Sequence, residues 1–207
     1  MTMTNFNFPK YNKIVGWLAF AIALLTYSLT VEPTASFWDA GEYILTSPKL
    51  QVGHPPGAPL FQMLGAVFSI FAIDNSYIGL VMNLMSAFSS AFAILFMFWS
   101  IVLLLQKIST VKLRDITKSQ TIVILGSAFV GSLSFAFTDT FWFNAAETEV
   151  YAMATFIMTL MFYLALRWEK DMFKPRGNRW LILIAFVIGL SFGVHFMGLL
   201  TIPAIGL

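Results

Sequence analysis

The first polar segment of the sequence carries two carboxylates at helical spacing. Asp39 and Glu42 are three residues apart, and Tyr43 stands at the fourth position after Asp39. If a short helix runs from about residue 39 to 46, these three side chains share one face. A carboxylate held in this way can accept the proton of an attacking hydroxyl group. Asp39 is therefore the candidate catalytic base, and Glu42 and Tyr43 are candidate substrate-binding residues.

Two cationic candidates follow in the same segment. They are Lys49 and His54, and the histidine lies within a Gly-His-Pro-Pro-Gly element at 53–57. If the hydroxyl group attacks a donor in which a sugar is linked to a phosphate, the phosphate departs. Cations or hydrogen-bond donors placed where its charge develops stabilise it. We therefore predict that Lys49 and His54 contact the phosphate of a donor.

Each of these residues also has a purely structural interpretation. Asp39 could cap the helix that follows it, because Asp at that position accepts backbone N–H groups of the first turn. His54 could only shape a turn, since the residue before a proline is driven towards extended geometry. Glu42 could be a solvated surface charge. These alternatives stay open at the level of sequence.

A second acidic pair lies further along the chain, where Glu147 and Glu149 are separated by one residue. In an extended segment both carboxylates could converge on a metal ion or on sugar hydroxyls, whereas on a regular helix they would point about 200° apart. Acidic residues are also favoured in the first turn of a helix by its dipole, which is the competing interpretation for Glu149. Both are candidate donor- or acceptor-binding residues.

His195 is an ionisable residue inside the last apolar run. If a helix begins at Trp180, His195 lies about 22 Å along its axis, in the outer half of a bilayer. A titratable group at such a depth is a functional candidate. Nearby glycines would equally allow a neutral imidazole to serve packing alone. We treat His195 as a candidate donor-binding residue, with packing as the alternative.

The composition shows what must surround these residues. Of 207 residues, 58% are hydrophobic and 11% are charged, whereas about a quarter of the residues in a soluble domain are charged. Apolar runs near twenty residues long predict membrane-spanning helices. The absence of cysteine excludes disulfides and thiolate metal sites. The sequence is that of an integral membrane protein, which we expect to contact lipid and to have no nucleic-acid partner.

The distribution of basic residues decides which apolar runs cross the membrane. The runs cover 14–29, 58–73, 77–105, 121–137, 150–166 and 180–200. If the run 58–73 crossed, the two most basic loops would lie outside, against the positive-inside rule. Sixteen helical residues reach about 24 Å, short of the roughly 30 Å hydrocarbon core, which suits a helix lying along the surface. The basic residues placed inside in this way are Lys107, Lys112, Arg114, Lys118, Arg167, Lys170, Lys174, Arg176 and Arg179.

The predicted fold is all-α: a polytopic membrane protein with about five transmembrane helices plus a juxtamembrane helix on the periplasmic or lumenal face. The amino terminus lies inside, and outer loop 1 (31–76) and outer loop 2 (138–149) are both acidic. One domain covers 1–207. Because apolar residues continue to the last position, we expect this to be the amino-terminal part of a longer protein.

Together these features resemble the GT-C superfamily of glycosyltransferases. Within it, the stretch Phe-Trp-Asp-Ala-Gly-Glu-Tyr at 37–43, followed by the element at 53–57, is similar to the DUF2723 family of transmembrane protein 260-like O-mannosyltransferases. Residues 142–151 form a second matching block, and the likeness runs from about residue 11 to residue 200. Either of the two first-loop elements alone would be a weak signal, but their combination is fairly specific.

The resemblance implies inverting transfer of a sugar, often mannose, from a polyprenyl-phosphate donor to a hydroxyl of an exported protein or glycan. The reaction would proceed with or without a divalent cation such as Mg²⁺ or Mn²⁺. Asp39 would match the first-loop base, and Glu147 and Glu149 the acidic pair of the second loop. The short loops favour a bacterial inner membrane with the site facing the periplasm.

Two other classes of protein remain open. One is a transporter subunit, although transporters place polar groups near the bilayer midplane, and here the carboxylates cluster at the outer ends of helices. The other is a membrane assembly or scaffold protein that uses the juxtamembrane helix as its docking surface.

Overall fold

The computed structural model describes residues 7–109 and 116–206, which are helical with no strand in those two ranges. The α-helices are α1 (Phe8–Leu29), α2 (Ala40–Thr46), α3 (Pro59–Ser69), α4 (Ile78–Ile108), α5 (Lys118–Ala136), α6 (Asp139–Ala146), α7 (Val150–Asp171), α8 (Arg179–Phe192) and α9 (Ile202–Gly206). Short 3-10 helices cover Ser47–Lys49, Asn75–Tyr77 and Phe196–Thr201. The prediction of an all-α membrane protein with several spans is confirmed, since four of these helices are long and apolar enough to cross a bilayer.

Local sequence signals explain where the long helices begin. The side chain of Asn7 accepts the backbone N–H of Lys10 and so caps α1. Thr117 and Gln120 form a reciprocal capping box at the start of α5. These caps satisfy backbone donors that have no partner within the helix.

Helix α4 is the centre of the bundle and packs against α1, α3, α5, α6 and α7. Its buried face is rich in small side chains, which let neighbouring helices approach closely. These small buried residues are Gly79, Ser86, Ala87, Ser89, Ser90, Ala91, Ala93 and Ser100. The same close packing occurs on α1, where a Cβ added to Gly16 would lie 2.8 Å from Nε1 of Trp99.

The bundle has an acidic end and a basic end. At the acidic end, the N–H of Glu32, after α1, donates to the carbonyl of Ala146 at 2.9 Å, and Nε1 of Trp142 donates to the hydroxyl of Thr30 at 2.8 Å. At the basic end, Lys107 of α4 forms an ion pair with Glu169 of α7. Helices α4 and α7 therefore run parallel, and both start at the acidic end.

Three helix predictions need correction. The run 180–200 is not one span, because α8 ends at Phe192 after 14 residues and a 3-10 helix starts at Phe196. The surface helix expected over 58–73 is shorter, covering Pro59–Ser69. Outer loop 2 contains the helix α6, which was not expected. Lys112 and Arg114, placed inside by charge, lie outside the described residues.

The break after α8 has a tertiary cause. The carbonyl of Gly193 accepts the N–H of Leu60 at 2.7 Å and that of Phe61 at 3.3 Å. These are donors from the first turn of α3, which no partner within that helix can satisfy. A Cβ on Gly193 would lie 2.8 Å from the Cβ of Leu60, so glycine is what permits the contact. The segment after α8 thus docks on the first turn of α3.

Candidate functional site

Asp39 lies at the amino-terminal boundary of α2, and its carboxylate does not bind the backbone N–H groups of the helix. Its backbone is already helical, and its side chain makes no capping hydrogen bond. The alternative in which Asp39 only caps the helix therefore does not describe this geometry. Instead, Oδ2 of Asp39 lies 3.7 Å from Nε2 of His54.

Glu42 binds His54 at two points. One carboxylate oxygen accepts the backbone N–H of His54 at 2.5 Å, and the other lies 2.9 Å from Nδ1 of its ring. An ionised carboxylate can only accept, so the ring donates from Nδ1. Hydrogen bonds from His54 lower the pKa of Glu42, and the hydrogen bond and charge of Glu42 raise the pKa of His54. Neither residue is an isolated surface group.

The two-point contact between Glu42 and His54 is called the clasp below. Gly53 makes it sterically possible. A Cβ at this position would lie 2.7 Å from Oε1 of Glu42 and 3.3 Å from Nε2 of Gln62. Real Cβ atoms do not approach an oxygen so closely, so any larger residue would displace the carboxylate. Because the residue before His54 is glycine, the loop can approach Glu42 closely.

Tyr43 forms the floor beneath the clasp. Its ring is buried, with its centroid 5.0 Å from that of Phe61 and 6.3 Å from that of His54. Burial, followed by the neighbouring carboxylates led by Glu149, raises the pKa of Tyr43 to about 12. The phenol stays protonated at neutral pH and supports the site by packing.

The second acidic pair is buried at the same end of the bundle. Glu147 is 3% exposed and Glu149 5% exposed. Asp39 and Glu149 lie close enough for the charge of Asp39 to act on the carboxyl group of Glu149, which places the two outer loops side by side. Burial, followed by the charges of Asp39 and Glu147, raises the pKa of Glu149 to about 7. A buried carboxyl group that titrates near neutral pH is typical of functional sites.

Glu147 and Glu149 face different neighbours. The N–H of Glu149 donates to the carbonyl of Glu147 at 2.9 Å, which makes a three-residue turn at Thr148. Glu147 lines a cavity of about 460 Å³ together with Glu32, Ser36 and Phe37. Burial raises the pKa of Glu147 above its ordinary value. Glu149 is the member of the pair on which the charge of Asp39 acts.

His195 lies in the bend after α8, where it caps the following 3-10 helix, and so not within a continuous span. Its Nδ1 accepts the backbone N–H of Met197 at 3.1 Å, which places the proton of a neutral ring on Nε2. The ring packs edge-on against Tyr151, with the centroids 5.2 Å apart. Tyr151, two residues after Glu149, was not predicted as part of the site.

Lys49 is not brought to the carboxylates. It ends the 3-10 helix Ser47–Lys49 and lines a separate cavity with Thr34 and Ser76. Among the described residues it forms no ion pair. The structure therefore offers His54, and not Lys49, as the cationic group next to Asp39.

Asp39, Glu42 and His54 form a group that could hold a metal ion. One ligand atom from each lies within 4.8 Å of the others. An imidazole nitrogen with carboxylate oxygens suits divalent cations such as Mn²⁺. Glu147 and Glu149 are not members of this group.

Two comparisons with known proteins return a consistent result. The model of the family described as "Protein O-mannosyl-transferase TMEM260 N-terminal domain" matches residues 39–207. A relative from Dictyostelium discoideum, called protein O-mannosyl-transferase tmem260, is 26% identical over 157 residues. These residues cover 74% of this chain and 17% of the relative, so the matched part spans about a sixth of that protein's length. No solved structure matches.

Proposed function

The chain belongs to the TMEM260 N-terminal domain family of protein O-mannosyl-transferases, and from that premise we propose that it forms part of a membrane glycosyltransferase. The proposed reaction transfers mannose from a polyprenyl-phosphate donor to a hydroxyl group of an exported protein or glycan. It takes place at the acidic end of the bundle, which faces the non-cytoplasmic side. The observation that carries the proposal is the meeting of Asp39 with His54 and Glu149 at that end.

The proposed chemistry is a single inverting displacement of the GT-C type. The acceptor oxygen forms a bond to the anomeric carbon while the bond to the phosphate oxygen breaks. The polyprenyl phosphate leaves with the electron pair, and the proton of the acceptor hydroxyl moves to the carboxylate of Asp39. Asp39 suits this role because its side chain is accessible and does not cap a helix.

The other residues bind and orient in this proposal. Protonated His54, held by Glu42, contacts the phosphate oxygens as charge develops on them. Glu147 and Glu149 contact hydroxyl groups of the sugar or acceptor, and His195 offers Nε2–H to the donor. Tyr43 keeps its packing role. The contact of Lys49 with the donor phosphate stays a prediction, because Lys49 does not lie next to the carboxylates.

A divalent cation, Mg²⁺ or Mn²⁺, is proposed as the alternative to protonated His54, with Asp39, Glu42 and the neutral ring of His54 as its ligands. When bound, it would supply positive charge next to the donor phosphate. Removal of divalent ions with EDTA should lower transfer, and Mn²⁺ should restore it. Transfer that is unaffected by EDTA would remove the cation from the proposal and leave Asp39 in place.

The membrane that holds the protein is predicted from its short loops. The Dictyostelium relative is eukaryotic, so the comparison gives no support to a bacterial inner membrane, which stays a prediction. The proposal requires only that the acidic end faces away from the cytoplasm.

The test is transfer of labelled mannose from polyprenyl-phosphate mannose to a serine- or threonine-containing peptide by the chain in proteoliposomes. Labelled peptide is expected with the wild type and not with Asp39→Asn at equal insertion. A transporter subunit or a scaffold would give no labelled peptide with either chain, and that outcome would contradict the proposal.

A further inference from the structure

Asn83 is a buried amide in the central helix of the bundle. It lies on α4 less than two turns from its start and is fully buried. A buried amide without partners costs free energy, and in a helix that crosses a membrane no water compensates for it. Polar side chains in such helices are therefore functional candidates.

Three hydrogen bonds satisfy the side chain of Asn83, and all three lead to the outer loops. Its Nδ2 donates to the carbonyls of Glu32 at 2.7 Å and Thr34 at 2.8 Å. Its Oδ1 accepts the hydroxyl of Thr148. Both amide hydrogens and the carbonyl oxygen are used, so one side chain fixes outer loop 1 and outer loop 2 to the same point of α4.

The surrounding contacts show that this junction is tightly built. Thr148 is fully buried. A Cβ added to Gly79, one turn before Asn83 on α4, would lie 3.3 Å from the backbone carbon of Thr34. Loop 1 therefore lies directly on the helix at this point.

The junction stands immediately before the two residues that meet in the site. Glu149 follows Thr148, and Asp39 follows Thr34 by five residues. Across the gap, Glu149 lies close enough to Asp39 for the charge of Asp39 to act on its carboxyl group. We propose that Asn83 is a positioning residue: through its bonds to Thr148 and to the carbonyls of loop 1, it sets the alignment of Glu149 with Asp39. Its importance for catalysis rests on the proposed function.

The size of the expected effect follows from the geometry that group transfer requires. A displacement of about 1 Å in a reacting group can cost about 10²-fold in rate. Loss of the bond between Thr148 and Asn83 frees the turn that carries Glu149 but removes no group that touches the substrate. We therefore expect kcat to fall while the KM for the donor stays nearly constant.

A matched pair of variants tests the hydrogen bond without creating a large cavity. Thr148→Val keeps the shape of the side chain and removes the hydroxyl, whereas Thr148→Ser keeps the hydroxyl and removes a methyl group. We expect Thr148→Val to lower kcat about 10- to 100-fold and Thr148→Ser to stay within about threefold of the wild type. A role in packing alone predicts the reverse order, and that result would overturn the proposal.

A second measurement does not depend on activity. The chain has no cysteine, so Asp39→Cys with Glu149→Cys gives a pair that a short bifunctional thiol reagent can cross-link. The cross-linking yield should fall in the Thr148→Val background and persist in the Thr148→Ser background. Equal yields in both would refute the positioning role. If wild type transfers no mannose while the yields still differ, the proposed function fails and the positioning role stands.

Discussion

The two ends of the helical bundle carry similar charged groups in different surroundings. At the basic end, Lys107 and Glu169 form an ion pair across α4 and α7, with side chains 61% and 44% exposed. At the acidic end, Glu147 and Glu149 are almost fully buried, and the charges of Asp39 and Glu147 act on Glu149. The charges at the basic end are solvated, whereas those at the acidic end are held against one another.

The difference separates charges that solvent screens from charges that the protein itself must accommodate. Solvent screens exposed ion pairs, which contribute little to stability. Burial and like charge change the pKa of Glu149 because the protein, and not water, must accommodate its charge. Substitutions at the two ends should therefore have effects of very different size.

The largest effect is expected from Asp39→Asn. Loss of a positioned general base typically lowers a rate about 10²- to 10⁴-fold, and mannose transfer should fall by that factor. The matched control is Glu169→Gln at the basic end, which removes a carboxylate of similar exposure and should leave transfer unchanged. Equal losses in the two variants would contradict the assignment of the site to the acidic end.

Glu149→Gln should change how stability depends on pH. The folded chain holds the proton of Glu149 up to about pH 7, whereas an ordinary glutamate releases it near 4.5. The free energy of unfolding of the wild type should therefore fall as pH rises from about 4.5 to 7, by about 3 kcal/mol in all. The substitution removes this loss, so the variant should gain stability relative to wild type at pH 8.

Thermal unfolding in detergent with EDTA, at pH 5 and pH 8, measures this effect. The difference in stability between wild type and Glu149→Gln should be small at pH 5 and large at pH 8. The same difference at both values would show that Glu149 titrates as an ordinary surface carboxyl group.

Gly53→Ala should disturb the clasp between Glu42 and His54. The new Cβ would lie 2.7 Å from Oε1 of Glu42, so the carboxylate must move away from His54. The pKa of His54, which Glu42 raises, should then fall towards its ordinary value, and transfer should drop about tenfold.

An NMR titration of the two histidines measures the change in the His54 pKa. Gly126→Ala is the control, because no atom lies within 4 Å of its added Cβ. If the His54 titration is the same in both variants, the close approach at Gly53 has no role in holding the clasp.

Lys107→Met should have the smallest effect. Exposed ion pairs contribute about 0.2 to 1 kcal/mol, so the loss of the bond to Glu169 should lower stability by less than about 1 kcal/mol and leave transfer unchanged. Raising the salt concentration should reduce even this difference. A loss of several kcal/mol would show that the ion pair at the basic end is shielded from solvent, as the charges at the acidic end are, despite its exposure.

The all-α membrane fold and the order of its elements could be predicted from sequence because hydrophobicity and caps are local. The apolar run and the basic residues near Lys107 indicate the same helix α4 that the structure shows. The break at Gly193 could not be predicted, since it depends on the amides of Leu60 and Phe61 at the start of a helix far away in sequence.

The proximity of Asp39 and Glu42 was predictable from the sequence, but the pairings within the candidate site were not. The spacing of Asp39 and Glu42 was enough to place both near one end of α2. That His54 binds Glu42, and that the turn at Thr148 separates Glu147 from Glu149, depends on how the loops close. Asn83 had a signal in the sequence, a lone amide in an apolar run, but its partners are 49 to 65 residues away.

Sided labelling of single cysteines tests most directly the claim that the site lies at a non-cytoplasmic end. Val52, beside the clasp, and Phe173, in the basic turn after α7, are both 94% exposed, which makes Val52→Cys and Phe173→Cys an equally accessible pair. A membrane-impermeant maleimide applied to intact cells should label position 52 at once and position 173 only after permeabilisation. Labelling of position 173 in intact cells, with position 52 protected, would place the acidic end in the cytoplasm and contradict the account.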